Sequence, residues 1–119
     1  MPSVAIVGAS SNRSKYGNRA VRAYLRQAWT VHPVNPHEPT IEGLATFARI
    51  ADIPGPVDRA SFYVPAEIGR TLLADVKAKG IRELFINPGA ESDELLAEAE
   101  KLGLEPILAC SIVEIGERP

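Results

Sequence analysis

The stretch that decides the fold is SVAIVGASSNR, residues 3–13. Its apolar run predicts a short buried strand, and the small residues from Gly8 to Ser11 predict a turn. Because this turn has almost no side-chain bulk, its backbone can approach a ligand closely. A helix is predicted directly beyond it, over residues 17–25. A strand, a small-residue loop and a helix N-terminus leave N–H groups free for an anion, so we expect a nucleotide-type phosphate site.

The composition bounds the class of protein. A chain of 119 residues with 45% hydrophobic and 24% charged residues is typical of one soluble domain, and we expect residues 1–119 to form it. No apolar run approaches the roughly 20 residues of a membrane helix, and the N-terminus lacks the pattern of a secretory signal. The single cysteine, Cys110, excludes an intramolecular disulfide and suits a reducing cytoplasm.

Charge is distributed unevenly along the chain, although the net charge is only −2. The first 37 residues contain no acidic residue and five of the 13 basic ones, which are Arg13, Lys15, Arg19, Arg22 and Arg26. A basic patch beside the Gly8 loop would attract a phosphorylated ligand. We expect neither nucleic acid nor a membrane as a partner. We expect the two cations inside the loop to contact that ligand. The three helical arginines form either part of the patch or a solvated face.

Alternating strands and helices follow the first strand. Further strands are predicted at residues 30–34, 57–64, 83–87 and 106–109. One helix is predicted to begin with Pro65 at its first position, and another to be capped by Ser92 and to run through Lys101. Residues 37–56 predict only a short edge strand near Ala45 and a turn at 50–53. This order indicates an α/β fold, a Rossmann-like three-layer sandwich with a mainly parallel sheet. Helical spacing predicts inward-facing side chains at Val21, Leu25 and Ala28, at Ile68, Leu72 and Val76, and at Leu95, Ala99 and Leu102.

Missing motifs narrow the ligand. In an open parallel sheet the ligand binds beyond the carboxyl ends of the strands. The first of these ends reads GASSNR and lacks the G-x-G-x-x-G fingerprint of dinucleotide binders. The second carries Asn35 where an NAD-binding domain places an acidic residue for the ribose hydroxyls. A G-x-x-x-x-G-K-[ST] loop is also missing. The sequence therefore favours a phosphate ligand and disfavours NAD and the class of P-loop triphosphatases.

Four motifs together resemble one family. VAIVGASSN, VHPVNP, SFYVP and LFINPG occur at successive strand ends, and they resemble small bacterial CoA-binding proteins. Those proteins are similar to the N-terminal CoA-binding domain of the succinyl-CoA synthetase α subunit. The resemblance spans nearly the whole chain. It implies a Rossmann-like fold that binds CoA and carries no catalytic machinery of its own.

The resemblance also implies roles for individual residues. The pyrophosphate would be held by Gly8, Ser10 and Ser11, and the neighbouring Ala9 and Asn12 belong to the same predicted cofactor-binding loop. The adenosine would lie beside Val34, Asn35 and Pro36, the adenine and pantetheine side beside Tyr63, Val64 and Pro65, and the pantetheine path beside Asn87, Pro88 and Gly89.

One departure from the family pattern affects the 3′-phosphate. Synthetase-like loops carry a lysine after the second strand, whereas His37 and Glu38 follow Pro36 here. Arg13 or Lys15 would then have to meet the 3′-phosphate. Dephospho-CoA or another adenine nucleotide therefore stays open as the ligand.

No catalytic or metal-binding constellation is recognisable. One cysteine and two separated histidines cannot build a metal site, and His32 is interpreted as structural. Cys110 is either a small buried residue or a thiol facing the end of bound CoA. We therefore expect a non-enzymatic protein that binds CoA or an acyl-CoA, with a homodimer or a protein partner as open possibilities. The alternatives are an NAD(P)-binding oxidoreductase-type domain, a subunit of an acyl-CoA synthetase, and an interaction domain without a ligand.

Overall fold

The computed structural model describes all 119 residues and contains seven strands and four helices. The strands are β1 (Ser3–Val7), β2 (Thr30–Val34), β3 (Thr40–Ile41), β4 (Leu44–Ala45), β5 (Arg59–Phe62), β6 (Glu83–Ile86) and β7 (Ile107–Leu108). The helices are α1 (Tyr16–Arg26), α2 (Ala66–Lys79), α3 (Asp93–Lys101) and α4 (Ser111–Glu114). Five strands form one sheet in the order β2-β1-β5-β6-β7, with every neighbouring pair parallel.

Helices cover both faces of this sheet, which confirms the predicted three-layer α/β sandwich. Strand β1 lies between β2 and β5, with alternate side chains on opposite faces of the sheet. Val4 and Ile6 pack in the cluster that includes residues of α1 and α4. Ala5 and Val7 pack in the larger cluster with residues of α2 and α3. None of the helices combines the length and the apolar character that a membrane span requires.

Local sequence signals predicted several element boundaries correctly. Strand β2 covers the predicted residues 30–34, and a short hairpin of β3 and β4 includes the predicted edge strand at Ala45. Ser92 caps α3, because its side chain accepts a hydrogen bond from the N–H of Leu95 at 3.1 Å. Helix α4 was not predicted. Its four residues give too short a pattern for helical periodicity to be recognised.

Three predicted core positions were wrong. Leu25 is 39% exposed and Ile68 is 48% exposed. On α1 the buried stripe runs instead through residues 20, 21, 23 and 24, and Ala28 lies beyond the helix with φ at +62°. On α2 the stripe runs through Gly69 and Leu73, since the glycine lets the helix approach the sheet there.

Helix α1 approaches the end of β1 more closely than a side chain would allow. A Cβ atom on Gly17 would overlap the carbonyl oxygen of Gly8 and would lie 3.1 Å from its carbonyl carbon. Gly8 itself has φ at +92°, and its own Cβ would lie 3.0 Å from the backbone carbon of Tyr63 and from a methyl of Val64. The two glycines therefore fix how the first loop sits against the helix and against β5.

At the opposite end of the sheet, a buried arginine contacts side chains from several neighbouring elements. Arg59, which is 5% exposed, lies between the rings of Trp29 and Phe85, with its guanidinium carbon 4.8 and 4.5 Å from their centroids. It forms ion pairs with Glu83 and Glu114. Burial lowers the pKa of Arg59, but the hydrogen bonds to these carboxylates and to a tyrosine hydroxyl outweigh it, so the net shift is upward. The guanidinium therefore stays charged inside the fold.

Replacing Gly17 by alanine tests the close approach of α1. Alanine normally stabilises a helix by about 1 kcal/mol relative to glycine. Here its methyl group meets the Gly8 carbonyl, so we expect Gly17→Ala to lower the free energy of unfolding by about 1–3 kcal/mol. Gly69→Ala is the comparison, because its methyl meets side-chain atoms at 3.2 Å or more rather than a backbone atom, so its loss of stability should be the smaller one. Urea unfolding that shows both variants equally stable would contradict this account.

The pH dependence of stability tests the burial of His32. Burial, with a smaller contribution from the charge of Lys79, lowers the pKa of His32 below its usual 6.5. The unfolded chain therefore binds a proton more readily, and stability should fall as the pH drops through 6.5 toward the lower pKa of the folded state. We expect His32→Gln to flatten this dependence in urea unfolding between pH 5.5 and 7.5, and His37→Gln, in an exposed loop, to leave it unchanged. Equal slopes in all three proteins would contradict the assignment.

Candidate functional site

A single large cleft of about 1400 Å³ opens at the carboxyl ends of the strands. It lies at the end of β1, which has β2 on one side and β5 on the other. The chain therefore adds β2 on one side of β1 and later adds β5 on the opposite side, so that the strand order reverses at β1. This reversal is the point at which doubly wound sheets bind ligands. Thirteen of the 16 predicted site residues line the cleft. The three that do not are Ser11, Asn12 and Arg13.

The loop between β1 and α1 presents unused backbone donors to this cleft. The N–H groups of Ala9, Ser10, Tyr16 and Gly17 have no hydrogen-bond acceptor within the protein, and all four residues line the cleft. Two of them belong to the first turn of α1, where the helix dipole adds a partial positive charge. The arrangement is suited to binding phosphate oxygens.

Two asparagine side chains hold the loop in this shape. Asn18, which is fully buried, donates to the carbonyl oxygen of Ser10 at 2.9 Å. Asn35, at the end of β2, donates to the carbonyl oxygen of Ala9 at 2.8 Å. These two bonds fix the orientation of the loop peptides from the protein side. The N–H groups of the same residues keep no partner within the protein and remain available for a ligand. Asn35 thus has a structural role at the position where NAD-binding domains carry an acidic residue.

One backbone N–H group of the loop already donates a hydrogen bond to a carboxylate of the protein. Glu38 accepts a hydrogen bond from the N–H of Ser11 at 3.0 Å and one from the Asn35 amide at 3.3 Å. Hydrogen bonding from Ser11, with a smaller contribution from the charge of Lys15, holds the pKa of Glu38 below its usual value. The side chain is therefore ionised at neutral pH.

The charges that line the cleft are nearly balanced. Lys15 has no carboxylate within salt-bridge distance, whereas Arg49 pairs with Asp75 at 2.9 Å. Arg13, one of the two cations predicted to contact the ligand, pairs with Glu42 at 3.4 Å outside the cleft lining. Lys15 is therefore the one cleft-lining cation without a carboxylate partner.

The far wall of the cleft is apolar and well supported. Val64, Ile68 and Leu72 line it, which explains why Ile68 is exposed although it was predicted to face the core. Pro65 and Pro88 extend this wall at the ends of their strands. Such a surface is suited to an alkyl or amide chain rather than to a charged group.

Buried polar groups stabilise the floor of the cleft. Asn87 donates to the Ser61 hydroxyl at 2.8 Å and to the carbonyl of Phe62 at 2.9 Å, and it accepts from the N–H of Ser111 at 2.9 Å. Its amide is thus fully engaged within the protein, and the exposed Pro88 and Gly89 beside it are the more accessible residues. Burial raises the pKa of Tyr63 to about 12, so its phenol is neutral.

Cys110 is half-buried and lines the cleft immediately before α4. Val113 of the same helix also lines it and is 58% exposed. The short helix therefore closes one side of the cleft, and sequence reasoning missed it.

Sequence reasoning also missed the residues that shape the loop from outside. Gly17 and Asn18 were assigned only to the start of a helix. Both have poor helix propensity, and that pairing at a helix start was the available signal. Glu38 was noted as a departure from the family pattern, but its contact with Ser11 spans 27 residues and depends on tertiary structure.

Two proteins with similar sequences are archaeal ADP-forming acetate–CoA ligases. The α subunit of the ADP-forming acetate–CoA ligase II of Pyrococcus furiosus is 28% identical over 115 residues. The ADP-forming acetate–CoA ligase II of Archaeoglobus fulgidus is 36% identical over 107 residues. Each alignment covers 87% of this chain, but only 25% and 16% of those proteins respectively. The chain thus spans a quarter or less of their length.

A solved structure matches over almost its entire length. A conserved hypothetical protein of Pyrococcus furiosus superposes with a TM-score of 0.88 and 36% identity, covering 96% of this chain and 99% of that one. These relatives are archaeal, so the bacterial origin suggested by the resemblance stays a prediction.

A family model identifies the family of this chain. A family model described as a CoA binding domain matches residues 2–116. The match confirms the resemblance drawn from the four strand-end motifs, and this chain belongs to the CoA-binding domain family.

Proposed function

We propose that residues 1–119 form a single domain that binds coenzyme A or an acyl-CoA without catalysing a reaction. The observation that carries this proposal is the set of four unpaired N–H groups lining one cleft at the strand-order reversal. Backbone donors at this position suit a pyrophosphate. The family match supplies the ligand class.

The two ends of the cleft support a ligand of mixed character. The loop of Gly8 to Ser11 would bind the pyrophosphate, with the adenosine beside Val34 to Pro36. The wall of Val64, Ile68 and Leu72 would take the pantetheine arm. The cleft volume of about 1400 Å³ exceeds the roughly 300–1,000 Å³ of ordinary ligand sites and leaves room for so long a molecule.

A second candidate function is that of a subunit in an acyl-CoA synthetase. It is favoured by the relatives named as acetate–CoA ligases, of which this chain spans only a part. Under this alternative the same cleft would present CoA to a protein partner that carries the chemistry. Co-purification with a nucleotide-binding partner would distinguish it from an independent carrier or sensor. Either role fits the cytoplasm, where CoA is abundant and a free thiol such as Cys110 persists.

Blocking the loop tests the proposed site. Gly8→Val places a side chain against Tyr63 and Val64 at a positive φ, so it should weaken CoA binding at least about tenfold by displacing the loop. Gly55→Val is the matched control, since it has a similar φ of +77° but lies in open space away from the cleft. Calorimetric titration gives the affinities, and far-UV dichroism checks that both variants fold.

For the unmodified protein we expect micromolar binding of CoA and no measurable binding of NAD. Unchanged CoA affinity in folded Gly8→Val would contradict the placement of the phosphate site. Binding of NAD in preference to CoA would support the oxidoreductase-type alternative instead.

A further inference from the structure

The carboxylate of Glu38 is hydrogen-bonded to the backbone of the loop between β1 and α1. It accepts the Ser11 N–H at 3.0 Å, in the same loop that would hold a ligand's pyrophosphate. It also belongs to the lining of the cleft, four residues beyond the end of β2. A negative side chain is thus built into a site whose backbone is otherwise arranged to attract negative groups.

Glu38 is fixed in this position from both sides. The Asn35 amide donates to its carboxylate at 3.3 Å, and the Thr46 hydroxyl donates to its backbone carbonyl. Asn35 simultaneously holds the carbonyl oxygen of Ala9. The carboxylate is therefore tied to the loop and to the end of β2, and moving it requires breaking the hydrogen bonds from Ser11 and Asn35.

The cleft contains no surplus of positive charge to offset this carboxylate. Its charged side chains are Lys15, Glu38, Arg49 and Asp75, and their formal charges cancel. Arg49 is neutralised by Asp75, and Arg13 is held by Glu42 outside the cleft lining. Lys15 alone must serve the pyrophosphate and any further phosphate of the ligand.

A carboxylate close to the end of the second strand has a known use in nucleotide-binding folds, where it accepts hydrogen bonds from ribose hydroxyls. The same position is unfavourable for a ribose phosphate, which carries nearly two negative charges at neutral pH. A group of that charge beside Glu38 would be repelled, and Lys15 could not serve both phosphate positions.

From these observations we infer that Glu38 is a specificity-determining residue that makes the cleft disfavour a phosphate on the adenosine ribose. The inference rests on the proposed function. Within it, the site recognises the adenosine pyrophosphate and the pantetheine arm, and binds the form with free ribose hydroxyls more tightly than CoA itself.

The test compares CoA with dephospho-CoA, which differ only by the ribose 3′-phosphate. Calorimetric titrations at about 0.15 M salt give the ratio of the two dissociation constants. For the unmodified protein we expect dephospho-CoA to bind several-fold more tightly. In Glu38→Gln the preference should shift about tenfold toward CoA, because the repulsion is removed while an acceptor oxygen remains. Glu38→Lys should shift it further in the same direction.

Glu117→Gln is the matched control. Its carboxylate is also held by hydrogen bonds, from Arg26 and Gln27, but it lies outside the cleft lining. This variant should keep the original ratio, and thermal melting checks that each variant folds. Binding of both ligands with the same ratio in Glu38→Gln and in the unmodified protein would overturn the inference alone. Failure of both ligands to bind the unmodified protein would overturn the proposed function and the inference with it.

Discussion

The close approach of Gly17 to the carbonyl of Gly8 is the constraint on which the site depends. Without a side chain at residue 17, the first turn of α1 lies directly against the end of β1. The intervening residues must then bulge outward, and Asn18 and Asn35 capture their carbonyl oxygens. The consequence is a loop whose N–H groups face a cleft without internal partners. Dinucleotide binders achieve similar close packing with a shorter glycine pattern, so the missing fingerprint does not mean that the geometry is missing.

Local patterns in the sequence were sufficient for the architecture. The alternation of apolar runs with helical stretches predicted the parallel sheet, and the Ser92 cap and the bounds of β2 follow from residues adjacent in the chain. The position of the cleft also followed, because the ends of parallel strands meet at one edge. The motifs at those ends therefore predicted 13 of the 30 residues that line the cleft.

Features that depend on distant contacts could not be predicted in the same way. Arg59 is an arginine in a strand, and its burial depends on Glu83 and Glu114, which are 24 and 55 residues away. The inward face of α2 depends on how closely Gly69 lets the helix approach Phe62 and Leu95. Beside the site, the ion pair that holds Arg13 away from the cleft lining depends on where the β3–β4 hairpin places Glu42.

The balanced charges of the cleft determine how strongly ligand binding by the proposed carrier depends on salt. A site built largely from backbone N–H groups and neutral side chains binds through geometry, and it depends less on salt than a site built from lysines and arginines. The buried network of Asn87, Ser61 and Ser111 keeps the floor of the cleft rigid on the pantetheine side. Recognition of the nucleotide and accommodation of the arm are thus carried by separate parts of the fold.

The most direct test of the central claim is the change in backbone amide chemical shifts during a CoA titration. The account predicts that the largest changes occur at Ala9, Ser10, Tyr16 and Gly17, whose N–H groups lack partners in the free protein. Amides around Arg59, at the opposite end of the sheet, should remain unchanged. If the changes cluster away from the loop, or if saturating CoA leaves the loop amides unaltered, the assignment of this cleft as the CoA site is contradicted.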